Sequence, residues 1–190
     1  MKKSVGLLIM TRLIMEEGEP EELVAVLQKR GEFNHEKMGP ESWPGACQIT
    51  VHGSLEEHES WSGAMFRESG EELGTAVWNC FNGKLDSMAK LLSEKTSSEK
   101  EVRTFGIELP AGFLKRVRLN ASTGGLHLLR KKQVSQICRL CPEHFSKAVG
   151  VDERLTIAMF PDEIEAVKKA FEIFDPETLI GPRHGSAGRV

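Results

Sequence analysis

Three glutamates, Glu68, Glu71 and Glu72, stand at i, i+3 and i+4 within residues 53–75, GSLEEHESWSGAMFRESGEELGT. On a helix starting near Ser60, that spacing projects all three carboxylates from one face. Like charges packed so closely repel and would destabilise an isolated helix. A hard divalent cation relieves the repulsion, because it takes oxygen ligands and commonly bridges protein carboxylates to substrate phosphates. The spacing therefore predicts a divalent metal.

The same stretch carries Gly53, then five residues, Glu59, then seven residues, then Arg67-Glu68-Ser69-Gly70-Glu71-Glu72-Leu73-Gly74-Thr75. It resembles the signature of the Nudix superfamily, GX5EX7REUXEEXGU with U aliphatic, at every fixed position: Gly53, Glu59, Arg67, Glu68, Glu71, Glu72 and Gly74. Seven specified residues at fixed offsets are not expected from composition, whereas a Glu-rich solvated helix alone would be commonplace. Ser69 and Thr75 depart from the aliphatic positions, and Gly70 sits mid-helix, where it costs about 1 kcal/mol relative to Ala. These departures bear on packing and leave the carboxylates intact. On the other side of the helix, Ser62, Gly63, Phe66, Ser69, Gly70 and Leu73 fall together and are expected to face a sheet, with Trp61, Ala64 and Met65 nearer the carboxylates.

The resemblance implies an α/β/α sandwich around a mixed sheet and Mg²⁺-dependent hydrolysis of a diphosphate linkage, with Mn²⁺ as a substitute. In that scheme the metal is held by Glu68, Glu71 and Glu72 together with the backbone carbonyl of His52, just before the signature glycine. Glu68 or Glu71 serves as general base, with Arg67 beside them in the catalytic set. Arg67 and Glu59 form an ion pair that fixes the loop against the helix, and Gly53 and Gly74 support the motif. The implied partner is a small-molecule diphosphate of nucleotide type, with a homodimer left open.

Upstream, the run LQKR and the tripeptide Trp43-Pro44-Gly45, seven residues before Gly53, are similar to the isopentenyl-diphosphate isomerase branch of the superfamily. That branch places a catalytic Cys immediately before the signature glycine, where this chain has His52, and Cys47 does not fall there. An isoprenoid-diphosphate enzyme is thus the second reading, and a non-catalytic ligand-sensing module the third. The chain contains no Tyr, which argues against the diadenosine-polyphosphate branch. His52 and His58 flank the start of the motif and are each more readily bystanders than participants.

Composition narrows the class. A chain of 190 residues, 39% hydrophobic and 28% charged, suffices for one domain with a sizeable core, expected over residues 1–175. A net charge of -3 argues against a nucleic-acid backbone binder, which needs a basic surface. The apolar run Val5 to Met10 is too short to span a bilayer and patterns as a strand, so a cytoplasmic protein is expected. The four cysteines are expected to be reduced and mostly buried. Cys138-Arg-Leu-Cys141 with His144 could donate to zinc but lacks the second pair that makes such a site.

The elements that must position the motif can be read in outline. Residues 4–13 and 21–29 suit neighbouring strands, the first central because it is nearly continuously apolar. A polar loop, Arg30 to Ser42, lies just ahead of the motif and is expected to choose the substrate. A third strand is expected over Ala46 to His52. After the motif, Leu85, Met88 and Leu92 have helical spacing and predict inserted helix within residues 84–94, followed by a strand over Val102 to Leu109. Pro110 opens a short helix whose Lys115, Arg116 and Arg118 either meet phosphate or solvate a face. Asn120 to Gly125 is a loop before a strand, Leu126 to Arg130, and could offer backbone donors to phosphate. Phe160-Pro161-Asp162-Glu163 starts a helix whose stripe Ile164, Val167, Phe171 and Phe174 should cover the sheet opposite the glutamate helix. Residues 176–190 are expected to form a flexible tail.

Overall fold

The computed structural model describes residues 1–35, 37–81, 83, 85–140 and 157–176. Its centre is β1 (Lys2–Leu13), buried from Ser4 to Thr11. Val5, Leu7 and Ile9 join one hydrophobic cluster and Leu8 and Met10 another, so both faces of the strand are covered. That explains its uninterrupted apolar run. Strand β2 (Glu22–Arg30) pairs antiparallel with β1 in the register Ile9 to Val26 through Leu13 to Glu22.

Between β2 and the glutamate helix lie a two-residue hairpin, β3 (Phe33–Asn34) and β4 (Gly39–Pro40), within the expected loop, then β5 (Cys47–Gln48) and β6 (Val51–Ser54). The single strand expected over Ala46 to His52 is therefore divided. The cause is a fork in the sheet. Beyond Ile9 and Val26 the two long strands diverge; β5 pairs with β2 at Gln28 and Lys29, and β6 pairs with β1 from Ser4 to Leu7. Thr50 sits in the crotch, fully buried, its Oγ1 accepting from the Ile9 N–H at 2.7 Å and donating to the Val26 carbonyl. One hydroxyl thus satisfies a donor and an acceptor that lose their partners where the strands part. The Trp43-Pro44-Gly45 turn precedes the fork: Gly45 adopts φ 77° and donates to the Arg30 carbonyl at 2.9 Å, while Trp43 packs edge-on against Phe160.

Helix α1 (Trp61–Leu73) follows, capped by Ser60, whose side chain accepts from the Gly63 N–H. It is succeeded by a 3₁₀ turn and two single-turn helices, α2 (Trp78–Phe81) and α3 (Leu85–Met88). Helix does not extend to Leu92. Residues Lys90–Thr96 form β7, hairpinned to β8 (Lys100–Glu108), which runs parallel to β1. Strand β9 (Thr123–Arg130) pairs with the outer side of β2 and completes a seven-stranded mixed sheet. A parallel pair, β10 (Ile137–Arg139) with β11 (Ile157–Met159), has no counterpart among the sequence expectations. It leads into α4 (Pro161–Phe174).

The layers are helix, sheet, helix. Ala64, Met65 and Leu73 of α1 pack with Val77 and Phe81 on one face, while Ala166, Val167, Ala170 and Phe171 of α4 cover the other. The buried stripe of α1 differs from the expected one: Ala64, Met65, Glu68, Ser69 and Leu73 are buried, and Phe66 is exposed and stacked on Trp78 with ring centroids 4.6 Å apart. Two of the three irregular motif positions, Ser69 and Gly70, acquire a reason. Ser69 Oγ donates to the Met65 carbonyl at 2.6 Å, satisfying its buried hydroxyl. Gly70 lies under the indole of Trp78, which a Cβ would approach to 2.3 Å, and Trp78 Nε1 donates to the Phe66 carbonyl. Cys47 is buried and Cys138 is exposed, against the expectation of mostly buried thiols; Cys141 and His144 lie outside the described residues. The expected tail is outside them from residue 177 onward. Among the described residues no helix is long and apolar enough to cross a membrane.

Candidate phosphate-chemistry site

The site is assembled where α1 lies against β6. Gly53 faces the helix, and Glu68 lies directly over it: a Cβ at residue 53 would fall 1.8 Å from the Glu68 carboxyl carbon. The glycine is required by this close approach. Glu68 Oε1 accepts from the Ser54 N–H at 3.1 Å and from Arg67 Nη1 at 2.9 Å. Burial raises the Glu68 carboxyl above its ordinary range; Arg67 opposes the shift and the charge of Glu71 adds to it.

Arg67 forms the expected pair with Glu59. Its Nε donates to Glu59 Oε1 at 3.1 Å and its Nη2 to Glu59 Oε2 at 2.9 Å, a bidentate contact. Nη2 also donates to the Ser54 carbonyl at 2.8 Å, so one guanidinium ties the loop, strand β6 and the helix together. The hydrogen bonds from Arg67 hold the Glu59 carboxyl below the usual carboxylate range, and the Arg67 guanidinium is held above its own. Glu71 is exposed and meets Arg67 Nη1 only at 3.4 Å.

Glu72 is half-buried and turns toward the fork in the sheet. Its Oε2 accepts from Gln28 Nε2 at 2.8 Å, and its Oε1 from the His52 N–H at 3.3 Å. Gly74 ends the helix at φ 85°, with its N–H on the Gly70 carbonyl, and a Cβ there would meet Arg118 Cβ at 2.9 Å. Of the expected basic cluster, Arg118 serves this helix end, donating its backbone N–H to the Leu73 carbonyl at 2.6 Å. His58 projects into solvent beside Glu57, apart from the carboxylates, at φ 64°.

A polar cleft of about 190 Å³ opens beside Glu72, walled by Gln28, Arg30, His35, His52, Ser122 and Thr123 among others. The polar loop and the Asn120 to Gly125 turn thus meet across the cleft, joined by His35, whose N–H donates to Ser122 Oγ at 3.0 Å. Arg30 pairs with buried Glu41 at 3.0 Å. A second cavity, of about 210 Å³, shares Arg30, Gln48 and His52 with the first and reaches Glu163 at the start of α4. Glu163 is buried, with Oε2 lacking a hydrogen-bond partner; burial and the charge of Asp162 push its carboxyl up to about 8. Sequence reasoning anticipated the two loops and missed Gln28 and Glu163. The available signal for Gln28 was one uncharged polar residue closing an apolar strand.

Among the described residues, no three His, Cys, Asp or Glu side chains already converge as a metal cage. The donor set nonetheless fits Mg²⁺, which keeps several waters and is held by one or two carboxylates plus substrate phosphates rather than by a closed protein cage. The buried Glu68, destabilised as an anion by its surroundings, is a group that a neighbouring cation would favour. Replacement of Gly53 by Ala is expected to displace the Glu68 carboxylate. The displaced carboxylate should appear as a shifted Glu68 side-chain carbon resonance in nuclear magnetic resonance, while circular dichroism keeps its native shape.

No protein-family profile matches the chain, and no curated protein matches it by sequence. Solved structures do. A mutT/nudix family protein from Listeria innocua is similar at 18% identity and TM-score 0.59, over 94% of this chain and 96% of that one. The Nudix hydrolase RenU from M. smegmatis is similar at 14% identity and TM-score 0.53, over 95% and 89%. The NUDIX domain of Shewanella oneidensis NrtR, solved with ADP ribose, is similar at 12% identity and TM-score 0.52, over 90% and 87%. With its mixed sheet held between α1 and α4 and these structures superposing over nearly its full length, the chain has the Nudix fold.

Proposed function

We propose that this protein is a Nudix pyrophosphohydrolase that cleaves a diphosphate linkage in a nucleoside diphosphate derivative with Mg²⁺. The observation that carries the reading is the signature, present at every fixed position and folded around Gly53, with Glu72 accepting the His52 N–H before that glycine and Glu68 the Ser54 N–H after it. The NrtR domain, solved with ADP ribose, supports a nucleotide-type ligand for this fold.

Glu68, Glu71 and Glu72, with the carbonyl of His52, would hold the metal. Once bound, it would polarise the attacked phosphorus and acidify a water. The chain's own groups do the rest. Glu71, exposed and only weakly engaged by Arg67, accepts the proton of the attacking water, with Glu68 as the alternative acceptor. Arg67 keeps Glu68 in place and offsets its charge, and its second contact with Glu71 tethers that carboxylate to the same guanidinium. The polar cleft receives the remainder of the substrate, where Asn120, Ser122 and His35 offer hydrogen bonds.

The test is a panel of nucleoside triphosphates, ADP-ribose, NADH, dinucleoside polyphosphates and isopentenyl diphosphate, incubated with purified protein with and without Mg²⁺. Metal-dependent release of phosphate, pyrophosphate or nucleoside monophosphate is the expected result. Isomerisation of isopentenyl diphosphate would select the isoprenoid reading, and binding without turnover across the panel would select a sensing module.

A further inference from the structure

We infer that Gln28 is the positioning residue of Glu72, and that Thr123, on the neighbouring strand β9, reinforces the direction in which Gln28 points. The inference rests on the reading of Glu72 as a metal ligand. Gln28 is only 2% exposed, and its amide is fully engaged. Nε2 donates to the Thr50 carbonyl at 2.7 Å and to Glu72 Oε2 at 2.8 Å, while Oε1 accepts from Thr123 Oγ1 at 3.1 Å.

The orientation of that amide follows from chemistry. Thr50 O and Glu72 Oε2 are both acceptors, so a flipped amide would press its own oxygen against a carbonyl and a carboxylate and leave both N–H donors without them. Thr123 reinforces the choice, because its hydroxyl proton has Gln28 Oε1 as an acceptor only in this orientation. Thr123 Oγ1 also lies 3.1 Å from Asn120 Oδ1, which itself accepts from the Ser122 N–H at 3.0 Å. A hydroxyl has one proton, so Thr123 can give it to Gln28 or to Asn120. Asn120 and Ser122 line the cleft, so a substrate that takes over Asn120 Oδ1 would leave the Thr123 proton to Gln28. The chain Asn120–Thr123–Gln28–Glu72 then couples cleft occupancy to the placement of a metal-binding carboxylate.

Partners that orient metal-binding groups typically contribute 10–100-fold to metal affinity. Gln28→Met keeps the volume and loses the donors. Mn²⁺ binding to the substrate-free variant, measured by electron paramagnetic resonance, should weaken by about that factor. In steady state, the Mg²⁺ concentration for half-maximal rate should rise by a similar factor, and kcat at saturating metal should change less. Thr123→Val should weaken Mn²⁺ binding severalfold, and Thr123→Ser, which restores the hydroxyl, should return it to the parent value. Unchanged Mn²⁺ affinity in folded Gln28→Met and Thr123→Val would overturn the inference. If Gln28→Met fails to fold, the Thr123 pair decides alone. Failure of the parent protein itself to bind Mn²⁺ would instead overturn the metal reading beneath it.

Discussion

Glu72→Gln should lose metal-dependent turnover by about a thousandfold, on the order of 4 kcal/mol in barrier height, while remaining folded. The substitution is isosteric, and Glu72 is half-buried at the junction of α1 with the forked sheet. Its two oxygens receive the Gln28 amide and the His52 N–H. A glutamine there offers one oxygen to one of those donors, and its own NH₂ then faces the other. It cannot supply the negative charge that a hard cation requires. Stability should change little, because removing one of three adjacent like charges offsets a lost hydrogen bond. Kinetics with varied Mg²⁺ and a urea titration of the same preparation check both halves. A variant within tenfold of the parent in kcat/KM would remove Glu72 from the metal set.

Glu163→Gln is expected to change stability rather than chemistry, and in a pH-dependent way. The Glu163 carboxyl titrates at about 8 in the fold and near 4.5 when unfolded, because burial and Asp162 disfavour its charge. The folded state therefore holds a proton that the unfolded chain releases across that window. Stability is full below the unfolded value and falls as pH rises, by up to roughly 4–5 kcal/mol by pH 8. Glutamine, always neutral, abolishes that slope. The variant should match the parent near pH 5 and melt about 10 °C higher near pH 9, since 1 kcal/mol moves the midpoint about 2–4 °C at this chain length. Thermal unfolding of both proteins across the range gives the answer. Parallel curves would show that Glu163 is charged in the fold at neutral pH.

Much of this frame is legible in the sequence where the determinants are local. Ser60 and Gly74 bound α1 as cap and terminator, and the apolar runs of β1 and β2 specify central strands. Pro161 with Asp162 and Glu163 announces α4. The Glu59–Arg67 pair, implied by the resemblance to the signature, is formed between the loop ahead of α1 and the helix, whereas Glu68, Glu71 and Glu72 share α1 without converging among the described residues. What escapes is non-local. The division of residues 46–52 depends on the divergence of β1 from β2, which Thr50 registers but no local pattern does. Leu85, Met88 and Leu92 have helical spacing, yet Leu85 and Leu92 belong to opposite faces of the sheet, which a single short helix cannot serve. The buried stripe of α1 shifted because Trp78, beyond the helix, covers Phe66 and Gly70 and leaves Ala64 and Met65 to face the sheet. Gln28 and Thr123 are 95 residues apart, and only the pairing of β9 with β2 brings them together.

The most direct test of the account is ³¹P nuclear magnetic resonance of the protein with ADP-ribose and the other nucleoside diphosphate derivatives, before and after addition of Mg²⁺ and again with excess chelator. The account predicts that the diphosphate resonances of at least one such compound give way to phosphomonoester signals only when metal is present, and that Glu72→Gln leaves them intact. Cleavage that persists in chelator, or spectra unchanged by metal across every compound while Mn²⁺ binds, would contradict it.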